Sequence, residues 1–315
     1  MVKYLLALLM LLPGPQDEPV LKIGIVGLDT SHVVAFTSLL NDPKNPNHVP
    51  GCKVVAAFKG GSADIKDSIG RLDGFTKTLQ EKWGVEIVDS IEELCKKVDC
   101  VLLESVDGRR HLEQARPVFA ARKRVFIDKP LAATYADAKE IARLGRESGT
   151  PWFSASSLRY GNQVESFKGL EILGAYTWGP ASLEPHHQLE LSWYAIHAIE
   201  MLYTMMGPGC EWVTRTTTAG ADVVTGHWQG GRIGVVRGER QGGGDYGAIA
   251  YTSKKAIVAP PEQGVGYPAL LAQVMKFFET GVPPVPNAVT LEIFAFMDAA
   301  QRSKAAGGAP VKLER

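Results

Sequence analysis

The chain has 315 residues, 45% of them apolar, which is long for one domain and sufficient for two cores. Its 34 basic and 34 acidic residues cancel, and no basic block or basic helix face stands out, which argues against nucleic acid and anionic membranes as partners. Cys52, Cys95, Cys100 and Cys210 form no zinc-like C-x-x-C pair and are too few for a disulfide framework, so they read as structural or incidental thiols.

At the N-terminus, Lys3 precedes an apolar run at 4–12 (YLLALLMLL) and then PGPQDEP. The run is far shorter than the roughly 20 residues that span a bilayer, but it suits a signal-peptide core. No small-x-small cleavage site is evident, and no cysteine offers lipid attachment. The expectation is a signal peptide or tail at 1–19 and an exported, periplasmic protein. A docked tail on a cytoplasmic protein is the alternative.

Between 20 and 150, strand and helix patterns alternate. Apolar runs at 21–27, 53–58, 85–88, 99–103 and 124–127 read as strands, and 90–97, 111–121 and 135–147 read as helices. Such alternation predicts an α/β fold with a Rossmann-like, doubly wound, mostly parallel sheet. A Pro- and Asn-rich loop at 41–51 separates the first helix from the second strand.

The turn after the first strand reads GLDTSH. A dinucleotide-binding turn would carry G-x-G-x-x-G there, and the three glycine positions hold Gly27, Asp29 and His32. The second glycine of that motif lets backbone approach the pyrophosphate. A carboxylate about 4 Å from a phosphate charge would cost up to ~4 kcal/mol at an effective dielectric near 20. Alternatively, Asp29, Thr30 or Ser31 caps the following helix and closes the anion site from within.

After 150 the texture changes. Residues 191–206 read as one helix with an apolar stripe, and extended, glycine-spaced runs between 214 and 258 suggest an antiparallel sheet. Helices are expected at 268–280 and 291–306, the former with a proline in its first turn. The domains are therefore set at 20–150, Rossmann-like, and 151–315, an α+β domain with an open, mainly antiparallel sheet.

At 126–132 (FIDKPLA) the chain resembles the Gfo/Idh/MocA family, named for glucose–fructose oxidoreductase, inositol dehydrogenase and MocA. Its Glu-Lys-Pro motif follows a Rossmann strand and reads Asp128-Lys129-Pro130 here. The preceding HLEQARPVFAARKRVFIDKP is similar to the family's helix and strand before that motif. AIHAIE at 195–200 resembles Gly-x-His-x-x-Asp on the second domain's first long helix, and the tail at 290–313 resembles the last helix and strand. The resemblance implies that Lys129 and His197 meet at the carboxyl edge of the sheet. The histidine would take the hydroxyl proton as hydride leaves carbon for NAD or NADP, and the lysine would stabilise the oxygen.

Against that pattern, the usual catalytic aspartate position holds Trp193, and Glu200 falls where it would orient or assist His197. Trp193 offers a face for a sugar, with Arg159 and His187 as further candidate substrate contacts. The family's Thr-Pro-Asn turn falls on Val106, Asp107 and Gly108, and the second strand runs into Lys59 rather than an acidic ribose ligand, with Ser62 and Asp64 as substitutes. The candidate cofactor contacts are Gly27, Asp29, Thr30, Ser31, His32, Lys59, Glu104, Asp107 and Asp128. No metal set is assigned; the adjacent His186 and His187 would point to opposite faces of a strand. Two readings remain. One is an oxidoreductase acting on a sugar or cyclitol, forming a homo-oligomer, with a cofactor either tightly held or absent. The other is a carbohydrate-active lyase, hydrolase or metal-assisted enzyme, or a sugar-binding protein, without an exchangeable dinucleotide, for which Asp29, His32, Glu104, Asp107, His186 and His187 supply candidate polar groups.

Overall fold

Residues 20–264 and 266–314 are described by a computed structural model; the expected signal segment at 1–19 lies outside the described residues. The first domain runs β1 (Leu21–Val26), α1 (Ser31–Asn41), β2 (Cys52–Phe58), α2 (Lys66–Trp83), β3 (Glu86–Val88), α3 (Ile91–Lys97), β4 (Cys100–Leu103), α4 (Gly108–Ala120), β5 (Arg124–Asp128), α5 (Tyr135–Ser148) and β6 (Trp152–Ala155). Its six strands are all parallel, in the order β3-β2-β1-β4-β5-β6. That order reverses between β1 and β4, and open α/β sheets bind ligands outside the carboxyl ends at such a switch point. The strands read as near-continuous apolar runs because helices cover both faces; Ile23, Ile25, Val101 and Phe126 are fully buried.

The second domain comprises α6 (Asn162–Glu165), β7 (Gly174–Pro180), α7 (Ile196–Met206), β8 (Cys210–Thr217), β9 (Ala221–Trp228), β10 (Ile233–Glu239), β11 (Gly247–Tyr251), β12 (Ala256–Val258), α8 (Tyr267–Thr280), α9 (Asn287–Ala305) and β13 (Val311–Lys312). Its sheet order is β12-β11-β7-β10-β9-β8-β13, with β7 and β10 parallel and the other pairs antiparallel. The buried side chains of α7 and α9 share a core with Val213, Val224 and Val236 on one face of this sheet. Its opposite face alternates half-buried residues such as Tyr176, Trp178, Thr225 and Val235 with the inward ones.

Three sequence expectations change. The first sheet gains β6, so its boundary moves from 150 past Ala155; the run WFSA is short but wholly buried. Helix α8 follows the second sheet in sequence yet packs against the first domain, where Leu270, Leu271, Val274 and Phe277 join the core of Ile23 and Phe126. The helix expected at 191–206 starts late. Glu190–Ser192 forms a 3₁₀ turn, in which the Ser192 hydroxyl bonds the Leu189 carbonyl, and α7 begins at Ile196. Among the described residues, no helix is long and apolar enough to cross a membrane.

Candidate active site

The carboxyl ends of β1, β4 and β5 face the start of α7. A cavity of about 260 Å³ lies between them, lined from one side by Thr30, His32, Val106 and Lys129 and from the other by Trp193, His197 and Tyr246. Thus Lys129 and His197, 68 positions apart by subtraction of their numbers, open on one space. Each domain supplies one of them. Ser156, just after β6, hydrogen-bonds the Nδ1 of His197 at 2.7 Å, leaving the other ring nitrogen free of that contact. The ring also lies edge-on to Tyr194 and Tyr246, with centroids 5.6 and 5.7 Å away. Burial first, and the nearby Lys129 charge second, push its pKa well below the ordinary histidine value. His197 is therefore a neutral imidazole able to accept a proton.

The expected partnership of Glu200 with His197 is not what the chain forms. Glu200 pairs instead with Arg159, Nε to Oε2 at 2.6 Å, and both are buried. The spacing of three would place both on one face of the helix, but the Arg159 guanidinium takes the carboxylate. Arg159 and Glu200 thus form a buried ion pair beside the cavity rather than lining it.

The turn at GLDTSH has its own order. Gly27 adopts φ +88°, and a Cβ there would come within 2.5 Å of the Ser105 backbone nitrogen, so glycine is required. Thr30 is the N-cap of α1, its hydroxyl accepting from the His32 N–H at 3.4 Å. Asp29 is not the cap. It is fully buried, accepting from the Ser68 hydroxyl at 2.6 Å and from the Val106 N–H at 3.0 Å. Its carboxylate therefore stitches the first turn to α2 and to the loop after β4.

A second stitch lies beside it. Asp107, also fully buried, accepts from the Ser62 hydroxyl at 2.5 Å, from Arg109 and from His187 Nε2 at 3.0 Å. Burial alone would raise this carboxyl, but the bonds from His187, Arg109 and Ser62 outweigh it and hold the pKa far below the usual range. His187 is consequently enclosed as a clasp on Asp107, while Trp193 meets it edge-on and does reach the cavity. His186 points to Glu184 on the surface. Lys59 pairs with Asp73 at 2.6 Å, and Asp64 pairs with Arg109; neither of them lines the cavity.

At the inner wall, His32 Nδ1 lies 2.7 Å from Asp128 Oδ2 and 3.8 Å from Glu104 Oε2. Burial raises the pKa of Glu104 well above the usual carboxylate value, and the charge of Asp128 adds to the rise. The His32 contact outweighs burial for Asp128 and lowers its pKa. Positions 32, 104 and 128 have no recognisable spacing; the sheet topology alone brings them together. Ser68, Ser156, Tyr194, Tyr246 and Tyr267 were likewise not singled out from the sequence, because a lone serine or tyrosine in a loop carries no periodic signal.

Residues 21–155 match a family model described as the GFO_IDH_MocA oxidoreductase family, NAD-binding Rossmann fold. The N-terminal domain belongs to the Gfo/Idh/MocA oxidoreductase family. An uncharacterized oxidoreductase from Streptococcus pneumoniae is 24% identical over 159 residues, a stretch that is 44% of this chain and 43% of that relative. The match therefore spans less than half the length of that curated relative. A probable dehydrogenase from Thermotoga maritima superposes with TM-score 0.75 at 19% identity, over 93% of this chain and 99% of that one. A myo-inositol dehydrogenase from Lactobacillus casei, solved with NAD(H) and myo-inositol, gives TM-score 0.73 at 15% identity, over 94% and 98% respectively. At such identities the structural likeness shows a shared two-domain fold over more than nine-tenths of the chain.

The two ends of the crevice differ in their fit to a dinucleotide. The inner end does fit: the first turn of α1 opens on the cavity through Thr30, Ser31 and His32, beside Lys129 and His197. At the outer end, running from the end of β2 past Asp29 and Asp107, these two carboxylates are bonded to the chain's own side chains, and a separate cavity of about 420 Å³ lies over them, lined by Gly61, Ser62, Asp64 and Arg109. Asp29 and Asp107 have no exposed surface.

Proposed function

We propose that this chain is an oxidoreductase that moves a hydride between a carbon–hydroxyl group of a sugar or cyclitol and NAD or NADP. The observation that carries the reading is the convergence of Lys129 and His197, from two domains, on one cavity at the carboxyl edge of a Gfo/Idh/MocA sheet. When bound, the nicotinamide supplies the hydride acceptor. His197, neutral and tethered by Ser156, takes the hydroxyl proton. Lys129 hydrogen-bonds the same oxygen and stabilises the charge that grows on it. Trp193, Tyr194 and Tyr246 wall the cavity with aromatic surface, which suits the apolar face of a pyranose or cyclitol ring. A volume of about 260 Å³ accommodates a ligand of monosaccharide size rather than an oligosaccharide.

The test has two parts. Denaturing the purified protein and analysing the supernatant by mass spectrometry is expected to release NAD or NADP held from the cell, or to show none where the cofactor exchanges freely. Steady-state assays with added NAD and NADP over a panel of aldoses and cyclitols are then expected to show reduction of one of them. A protein that releases no dinucleotide and reduces none overturns the reading.

Two further features belong to the proposal. The half-exposed sheet face, with Trp212 stacked on His227 at 3.4 Å and Ile233 and Tyr251 exposed, supports a homo-oligomer built through that face. Light scattering at micromolar concentration is expected to give a dimer or tetramer, and a monomer refutes it. Export rests on the apolar run at 4–12; intact mass from the native host is expected to lack the first 16 or so residues.

A further inference from the structure

We propose that His32, Glu104 and Asp128 form a binding site for one divalent transition-metal cation, of the manganese or zinc class, at the inner wall of the cavity. Each stands at the carboxyl end of a different neighbouring strand: His32 in the first turn after β1, Glu104 directly after β4, and Asp128 at the end of β5. One donor atom from each lies within 4.8 Å of the others. Two metal–ligand bonds of about 2.1 Å, set at octahedral or tetrahedral angles, span about 3.0–3.4 Å between donors. The separations of 2.7 and 3.8 Å from His32 Nδ1 bracket that span, so small side-chain shifts would close the shell.

An independent observation points to a ligand. Glu104 is fully buried, and neither of its carboxyl oxygens has a hydrogen-bond partner. Buried polar atoms are rarely left in that state. Protonation alone would not repair it, since a neutral carboxyl group needs an acceptor for its proton as well. A cation satisfies the oxygens directly.

The donor set fits the class named. One imidazole with two carboxylates suits zinc or manganese better than the soft, thiolate-seeking metals. Three protein ligands leave coordination positions vacant. Of the three, His32 lines the cavity with Lys129 and His197, while Glu104 and Asp128 lie buried behind it.

The full chain, stripped with chelator and dialysed, is to be titrated with Mn²⁺ alone, followed by the loss of free-ion signal in electron paramagnetic resonance, and with Zn²⁺ alone by calorimetry. One equivalent is expected to bind, and Glu104→Gln and His32→Asn are each expected to weaken it by about tenfold or more. The bound ion should also raise the melting temperature of wild type but not of either variant. If Glu104→Gln does not fold by circular dichroism, His32→Asn carries the same comparison from the cavity wall. An anomalous-scattering peak among the three side chains, in crystals soaked with Mn²⁺, is the expected location. Absence of stoichiometric binding, equal affinity in all three proteins, or a peak elsewhere overturns the site.

Discussion

The two ends of the crevice have taken opposite courses. At the inner end, Lys129, His197 and the first turn of α1 surround open space. At the outer end, where an adenosine would lie, two carboxylates with no exposed surface are bonded to serines from the segment after β2. Asp29 receives a hydroxyl and a backbone N–H, the type of donors that a phosphate oxygen would otherwise take. The turn carries its own internal anion. The difference teaches that a reaction centre and a cofactor groove on one sheet edge are separable: one depends on two side chains from different domains, the other on whether a single turn leaves its donors free.

The largest effect is expected at the inner end. Replacing Lys129 with Ala or His197 with Asn should lower kcat/KM by roughly 10² to 10⁴, the range for a positioned proton-transfer group. Circular dichroism should show both variants folded. Unchanged turnover in either one would place the reaction elsewhere and dissolve the contrast between the two ends.

Next comes Asp29→Gly, which removes the internal anion. Wild type should bind added NAD or NADP weakly by calorimetry, and the variant should bind it more tightly. Full relief of a charge about 4 Å from phosphate corresponds to at most ~4 kcal/mol, less after screening. The buried bonds from Ser68 and Val106 are lost too, so the folded state should weaken by about 1–3 kcal/mol. Tighter binding by wild type than by the variant would mean that Asp29 contacts the cofactor, and that the outer end opens in solution.

How much of this was legible beforehand follows from what each feature depends on. The parallel sheet was readable because each buried strand is a local apolar run, as in IGIV and VLL. Lys129 and His197 were readable through short motifs in their expected order. Asp29 was visible as an anomaly, but its partners were not: Ser68 lies 39 positions away and Val106 lies 77. Helix α2, which brings Ser68 in, buries only Ser68 and Leu79 and so shows almost no apolar stripe. Glu200 was misassigned for a related reason. Its acidic position suited His197, but Arg159, from a 3₁₀ turn 41 positions upstream, reaches it first. Pairings made across loops leave no period in the chain.

The second stitch can be tested on stability alone. Asp107→Ala leaves Ser62, His187 and part of Arg109 without their shared acceptor in a buried place. The cost should be about 3 kcal/mol, seen as a lower urea midpoint with an unchanged slope. Arg109 keeps Asp64 as a partner at 2.8 Å, which limits the loss. A change under about 0.5 kcal/mol, the size of ordinary surface substitutions, would mean that the outer end is only loosely closed.

The smallest effect returns to the inner end and depends on pH. His197 is faced by Lys129 and Asp128 from β5 and its following turn, by His32 from α1, by Ser156 after β6, and by the rings of Tyr194 and Tyr246. Burial and the Lys129 and His32 charges lower its folded pKa, while the unfolded chain keeps a value near 6.5. Below about pH 6.5 the unfolded state therefore binds a proton that the folded state refuses. Stability contributed by a neutral His197 is present above that pH and falls as the solution is acidified, by at most about 1.4 kcal/mol per pH unit. His111, buried between the Ser105 and Leu131 carbonyls, shifts in the same direction and adds to the wild-type slope. The informative quantity is thus the difference between wild type and His197→Asn. Asparagine can keep a bond to Ser156 but cannot titrate, so urea midpoints measured from pH 7.5 to 5.5 should fall less steeply in the variant. The acid limb of kcat/KM should likewise lie below pH 6.5, because the free enzyme holds its base neutral until then. Parallel slopes in the two proteins would mean that His197 is solvated and charges freely, and an inner end of that kind would not be the dry, preformed half of the comparison.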